Sequence, residues 1–279
     1  MAPDSPAVTA VVQALGAHAL LAFGVVLLLV LAGVAVLWHL AQRYGLRRQE
    51  SRWPPLAYLA AYLALGFGII ASAAALFAEI AEMLGDDKQL GRLDQLFSDS
   101  MARTASKSVL RVFATITHLG DPLTLTVLCV LVALVLLQQR QRWLAAGWVL
   151  ANAGNALLNP ALKGIFARTR PVHDRALVLA DGWSFPSGHA SSSVVAYGML
   201  AYLLVRLLPP HWPASLRLLS VLLATVLAFT IGSSRVFLQV HFASDVLAGF
   251  ASGTAWLAVC IGTLELIRYR LAFKRSDLS

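Results

Sequence analysis

His241 and Asp245 stand four residues apart, a spacing that puts two side chains on one face of a helix. A carboxylate so placed can keep one imidazole nitrogen protonated and leave the other free to attack. An acidic first helical turn beside an unrelated histidine would give the same pattern. The tetrapeptide Pro186-Ser187-Gly188-His189 opens another apolar run. A helix starting there presents unpaired N–H groups, and Gly188 lets the backbone approach a phosphate closely. Ser187 can donate a hydroxyl, and His189 can give a proton to a leaving oxygen. In isolation, a Ser/Gly cap next to an interfacial histidine would look alike. Lys163, Arg170 and Arg235 also sit near the ends of apolar runs. Each taken singly could be an anchor that snorkels to headgroups. As a set, cations gathered beside helix N-termini make an anion site.

The elements that must position these groups follow from composition. The 279 residues are 58% hydrophobic and only 13% charged, with a mean hydropathy of +0.72. A soluble domain carries roughly a quarter charged residues, so much of this surface faces lipid. The expected architecture is an all-α polytopic membrane bundle of about seven spans, each needing about 20 mostly apolar residues. The spans are read near Ala19–Leu40, Leu56–Ala81, Pro122–Gln138, Trp143–Leu162, His189–Leu208, Leu216–Ser233 and Phe242–Ile267. The third could start earlier. The N-terminal run lacks the basic region of a signal peptide, since Met1 to Gly16 holds only Asp4 as a charge, and is read as a retained helix. Between spans two and three, Gly85 to Asp121 is mixed-charge, with Leu90, Leu93, Leu96 and Phe97 at helical spacing. Short interfacial helices are expected there.

Net charge is +8. In a soluble protein this would hint at nucleic acid. Here the basic residues cluster in short turns between apolar blocks, so membrane orientation accounts for them, and no nucleic-acid partner is expected. Arg43, Arg47, Arg48 and Arg52 follow span one. Arg140 and Arg142 join spans three and four, Arg206 and Arg217 join five and six, and Arg268, Arg270, Lys274 and Arg275 end the chain. With seven spans all four clusters share one side. The positive-inside rule makes that side cytoplasmic and puts the chemistry-bearing junctions at the periplasm or exterior. Cys129 and Cys260 both lie inside apolar blocks and suggest no disulfide framework. Asn152, Asn155 and Asn159 recur at helical spacing on span four and are read as interhelical hydrogen-bonding groups. Arg168 is either a fourth phosphate contact or a rim charge, and His173 and Asp174 belong to a solvated loop.

Together, Lys163 with six residues to Arg170-Pro171, then Pro186-Ser187-Gly188-His189, then Ser234-Arg235 with five residues to His241 and three more to Asp245 resemble the three-part signature of the type 2 phosphatidic acid phosphatase superfamily. Vanadium haloperoxidases and glucose-6-phosphatase belong to the same superfamily. The stretch Thr117-His118-Leu119-Gly120-Asp121-Pro122 is similar to a less specific lead-in. The resemblance implies a phosphatase core over 109–267, preceded by accessory spans and interfacial segment in 1–108 and followed by a basic cytoplasmic tail, 268–279. It implies His241 as nucleophile forming a phosphohistidine, Asp245 as its orienting partner, and His189 as the acid that then activates water. Lys163, Arg170 and Arg235 would hold phosphoryl oxygens, with Ser187 and Gly188 donating hydrogen bonds. Fixed cations can stabilise phosphoryl transfer without Mg²⁺, so no metal and no cofactor is expected. The expected substrate is a phosphorylated lipid drawn from the bilayer: in a bacterium, undecaprenyl pyrophosphate, phosphatidylglycerophosphate, phosphatidic acid or a lipid A phosphate. A lipid phosphotransferase with the same intermediate would share the motifs, and a non-enzymatic lipid-binding protein would be expected to have lost one. The oligomeric state is left open.

Overall fold

The computed structural model describes residues 5–43, 55–84, 88–171, 180–209 and 211–276; Arg47, Arg48, Arg52, His173 and Asp174 lie outside them. The described chain is helical throughout. In order come α1 (Pro6–Ala17), α2 (Ala19–Arg43), α3 (Pro55–Glu82), α4 (Gln89–Thr104), α5 (Lys107–Ile116), a 3₁₀ turn (Thr117–Gly120), α6 (Pro122–Gln138), α7 (Arg142–Phe166), α8 (Gly188–Leu207), α9 (Ala214–Phe237) and α10 (Ala243–Ser276). Proline at the first position of α1, α3 and α6 fits a site where the missing N–H would have no helical partner. Ser5 and Ser106 cap α1 and α5 by accepting from the backbone N–H of Val8 and Val109, both at 3.3 Å.

Every stretch read as a span is helical, and by length and apolarity five or six helices among the described residues suffice to cross a membrane, near the expected count of about seven. Among the described residues, α2, α3 from Leu63, α8, α9 and α10 through Arg270 are long and apolar enough to cross. The sixth is a broken span: α5 with its 3₁₀ turn, followed by α6 at a bend of 45°. Helix α7 has the length but carries Asn152, Asn155, Asn159, Pro160 and Lys163. Its asparagines explain the low hydropathy. Asn155 and Asn159 are buried; their amides donate to Ser192 Oγ (2.9 Å) and Ser191 Oγ (3.3 Å) of α8. Asn152 instead donates to its own helix, at Trp148 O. The 85–121 segment, where short interfacial helices are expected, holds two short helices, α4 and α5. Helix α1 is an additional element: it breaks from α2 at His18, and Gly16 sits against the Phe97 carbonyl and Ser100 of α4.

Helix α8 is the most enclosed span, with α7, α9 and α10 packed around it. Helices α8 and α10 touch backbone to backbone. A Cβ at Gly249 would lie 2.6 Å from the Ser187 carbonyl, and one at Gly253 would lie 2.8 Å from the Ser191 carbonyl. Small residues permit such approaches where lipid supplies no hydrophobic drive between helices. Trp148 and Trp256 satisfy their indole N–H groups on the carbonyls of Cys129 and Ala151, both at 2.8 Å, which ties α7 to α6 and α10. Phe166 and Phe185 meet edge-on at 5.0 Å and Phe77 of α3 covers Phe185 at 5.4 Å. These rings pin the loops that leave α7 and enter α8.

Candidate active site

The C-terminal ends of α7 and α9, the N-terminal ends of α8 and α10, and the 3₁₀ turn before α6 converge at one end of the bundle. They enclose a cavity of about 420 Å³ lined by Thr117, His118, Asp121, Lys163, Arg170, Ala180, Gly188, His189, Arg235 and His241. Six of the eight residues singled out from sequence therefore face one space. The other two, Asp245 and Ser187, lie fully buried behind it.

The turn between α9 and α10 explains the Arg235–His241 spacing. Val240 N–H and His241 N–H both donate to the Arg235 carbonyl, at 3.1 and 3.2 Å. Gln239 takes a left-handed φ of 59° to close the turn. His241 then hangs one helical turn before Asp245, whose Oδ2 receives His241 Nδ1 at 3.3 Å and the Phe242 N–H at 2.9 Å. Ser187 N–H donates to the Asp245 carbonyl at 2.9 Å, so the entry into α8 is bonded to the start of α10.

The tautomer of His241 follows from its neighbours. Arg170 Nη1 approaches His241 Nε2 at 3.1 Å, and a guanidinium can only donate. Nε2 must therefore present its lone pair while Nδ1–H points to Asp245. Burial lowers the imidazole pKa to about 4; Asp245 opposes that shift, and Arg170 and Lys163 add to it. The ring is neutral near pH 7, and His241 lines the cavity with an unprotonated Nε2.

Two of the three cations, Arg170 and Lys163, are held by backbone carbonyls. Arg170 donates Nε–H to Gly182 O (2.9 Å), one Nη1–H to Val240 O (2.7 Å), and its Nη2 hydrogens to Asp181 O (3.0 Å) and Trp183 O (3.2 Å). Lys163 Nζ also donates to Trp183 O. Arg235 is buried, with Nη1 on Thr117 Oγ1 at 2.9 Å. Its Nε, together with Ser187 Oγ, is a buried polar atom with no protein partner among the described residues. Leaving such a donor unpaired costs roughly 1–3 kcal/mol. Both belong to the motifs, and an anion is the ligand that would satisfy them. Gly188 lines the cavity, and its missing side chain also clears Asn159, whose Oδ1 would meet a Cβ at 3.0 Å.

On the opposite wall His189 Nε2 meets Asp121 Oδ1 at 3.0 Å, and the other oxygen of Asp121 takes His118 Nδ1 at 2.7 Å. Tyr197 of α8 fixes this turn by donating to Leu119 O at 2.8 Å. Among the described residues no three His, Cys, Asp or Glu side chains converge as metal ligands.

Residues 142–268 match the family model of the PAP2 superfamily. Over 157 residues the chain is 38% identical to phosphatidylglycerophosphatase B of Bacillus subtilis (strain 168), an alignment covering 56% of this chain and 76% of that protein. The chain belongs to the PAP2 superfamily. The crystal structure of a transmembrane PAP2-type phosphatidylglycerolphosphate phosphatase from Bacillus subtilis superposes with a TM-score of 0.65 at 31% identity, covering 71% of this chain and 96% of that one.

The three motifs fall inside the matched PAP2 segment, whereas two groups of site residues lie before it. Thr117, His118 and Asp121 come from the lead-in turn, which sequence reading noted without giving a role. Asp94 of α4 was not singled out at all. It is buried, and its carboxylate accepts Arg168 Nη2 at 2.9 Å, Ser244 N–H at 3.2 Å and the Ser244 hydroxyl. Burial raises its pKa against the pull of the Ser244 and Arg168 hydrogen bonds. A signal was present: Asp94 lies four residues after Leu90 and three before Phe97, inside the apolar stripe of an amphipathic helix. Arg168 is neither a phosphate contact nor a rim charge. It is nine-tenths buried, joins Asp94 to Asp245 Oδ1 (2.7 Å), and stacks over Phe242 at 4.3 Å.

Proposed function

We propose that this membrane lipid phosphatase removes the terminal phosphate of phosphatidylglycerophosphate, or of a lipid phosphate of that type, through a phosphohistidine on His241. The observation that carries the reading is the His241 ring itself: Nδ1 is turned to Asp245 and the Nε2 lone pair faces a cavity walled by Lys163, Arg170 and Arg235. Nε2 attacks phosphorus, the P–O bond to the lipid breaks, and His189 gives the leaving oxygen its proton. Water then attacks phosphorus and gives a proton to His189, and the P–Nε2 bond breaks to free His241 and inorganic phosphate. The three cations and the N-terminus of α8 offset the charge on the phosphoryl oxygens. The curated relative and the solved structure are both a Bacillus subtilis phosphatidylglycerophosphatase, which favours that lipid over undecaprenyl pyrophosphate, phosphatidic acid and lipid A phosphates.

The basic turns support a site at the periplasmic or outer face. Helix α7 starts at Arg142 and ends beside the cavity, while α8 and α10 start there and run toward Arg206 and Arg268. About 20 helical residues, roughly 30 Å, separate the two ends. With the basic end cytoplasmic, the cavity opens on the other side and the acyl chains stay in the bilayer.

The test is phosphate release from phosphatidylglycerophosphate in detergent with EDTA present, comparing wild type with His241→Ala. Wild type is expected to turn over and His241→Ala to be inactive. Measurable turnover by His241→Ala would remove the covalent mechanism, and an inactive wild type would remove the substrate.

A further inference from the structure

We infer that Asp94, delivered from outside the matched PAP2 segment by α4, is a positioning residue for the nucleophile, and that its charge keeps Asp245 available to His241. The inference rests on the phosphohistidine reading. Four side chains form a buried line from α4 to the cavity: Asp94, Arg168, Asp245 and His241. Arg168 Nη2 meets Asp94 Oδ2 at 2.9 Å, Arg168 Nη1 meets Asp245 Oδ1 at 2.7 Å, and Asp245 Oδ2 meets His241 Nδ1 at 3.3 Å. Ser244 sits between the carboxylates: it accepts from Arg168 Nη1 at 2.7 Å and donates its hydroxyl to Asp94. Among the described residues only donors face the Asp94 oxygens, the environment of a carboxylate.

Two consequences follow. The first is mechanical. Ser244 lies in the first turn of α10, where backbone N–H groups have no helical acceptor, and Asp94 accepts its N–H at 3.2 Å. A carboxylate from a distant helix thus acts as part of the cap of α10 and fixes the turn that carries His241 and Asp245.

The second is electrostatic. When Nε2 bonds to phosphorus while Nδ1 keeps its proton, the imidazole becomes cationic. Asp245 is the carboxylate against Nδ1, but the same group is paired with Arg168. With Asp94 present, the trio Asp94–Arg168–Asp245 carries one net negative charge toward the ring. Without Asp94 it carries none, and the cationic intermediate loses its compensation in a site only 3% exposed at His241.

The experiment compares Asp94→Asn, Arg168→Gln and the Asp94→Asn/Arg168→Gln double variant, with His241→Ala alongside, measuring kcat, KM and the thermal midpoint in detergent. Asp94→Asn keeps the shape and an acceptor for Ser244. It is expected to lower kcat by roughly 10- to 100-fold, the usual worth of a partner that orients a working side chain, with KM nearly unchanged. The double variant restores the net charge on Asp245 and is expected to recover several-fold over Asp94→Asn. A merely structural Asp94 would give a double variant worse than either single one. That result, or wild-type kcat in Asp94→Asn while His241→Ala is inactive, overturns the inference and leaves the phosphohistidine reading standing. Activity in His241→Ala overturns both. If Asp94→Asn does not fold, a folded and active double variant supports the charge argument and an unfolded one overturns it.

Discussion

Arg170 donates a hydrogen to Nε2 of His241 at 3.1 Å, so the cation expected to grip the substrate covers the atom expected to attack it. The other four N–H groups of this guanidinium are committed to the carbonyls of Gly182, Val240, Asp181 and Trp183. The hydrogen on Nε2 is the one a phosphoryl oxygen can take over without stripping a carbonyl of its donor. In the proposed mechanism, phosphate binding and exposure of His241 Nε2 would be a single exchange.

That exchange requires a planar fork. Lysine at 170 would keep the charge but could not span four carbonyls and still present a directed donor. Arg170→Lys is expected to lower kcat/KM by about 10²-fold or more, the scale for loss of one preorganised donor, while the protein stays folded in detergent. Steady-state rates on phosphatidylglycerophosphate check this, and a loss under threefold would show that charge alone suffices.

A second expectation concerns Asp121, whose carboxylate bridges His189 and His118. A carboxylate against Nε2 favours the protonated ring, the form that can act as an acid, and this would matter most when the leaving oxygen is basic. Asp121→Asn is therefore expected to slow a lipid alkoxide leaving group by about 10²-fold, within the range for general acid catalysis, and to slow p-nitrophenyl phosphate much less. His189→Ala should show the same leaving-group dependence. Equal losses on both substrates in Asp121→Asn would make the carboxylate a packing group.

Much of this was legible in the sequence because the signature couples residue type to element ends. Arg235 and His241 were readable because a fixed tight turn separates them, and His189 because it begins a span. Asn155 and Asn159 revealed their interhelical role through helical spacing. What stayed hidden depends on contacts between distant segments. Asp94 and Ser244 are 150 residues apart, and no local period announces that pairing. Arg168 was ambiguous for a related reason: two residues before Arg170, it turns away from the cavity because Ala167 ends α7 in a left-handed conformation, with φ of 43°. In α7 the polarity that serves α8 cannot be told by sequence from polarity that faces water, so hydropathy by itself does not mark this helix as a span.

The last expectation is a pH dependence of stability set by His241. Its pKa falls from the ordinary 6.5 to about 4 on folding, chiefly through burial. Below 6.5 the unfolded chain takes up a proton that the folded site refuses, so acid favours unfolding. The contribution is complete above 6.5, declines as pH falls, and is exhausted once pH passes the folded value near 4. A shift of this size corresponds to about 3 kcal/mol. The thermal midpoint of wild type in detergent should therefore drop more steeply across that window than that of His241→Gln, which has no group to titrate at this position. Parallel slopes would mean that the buried imidazole takes up a proton as readily as the unfolded one, contrary to the Arg170 hydrogen bond on its Nε2.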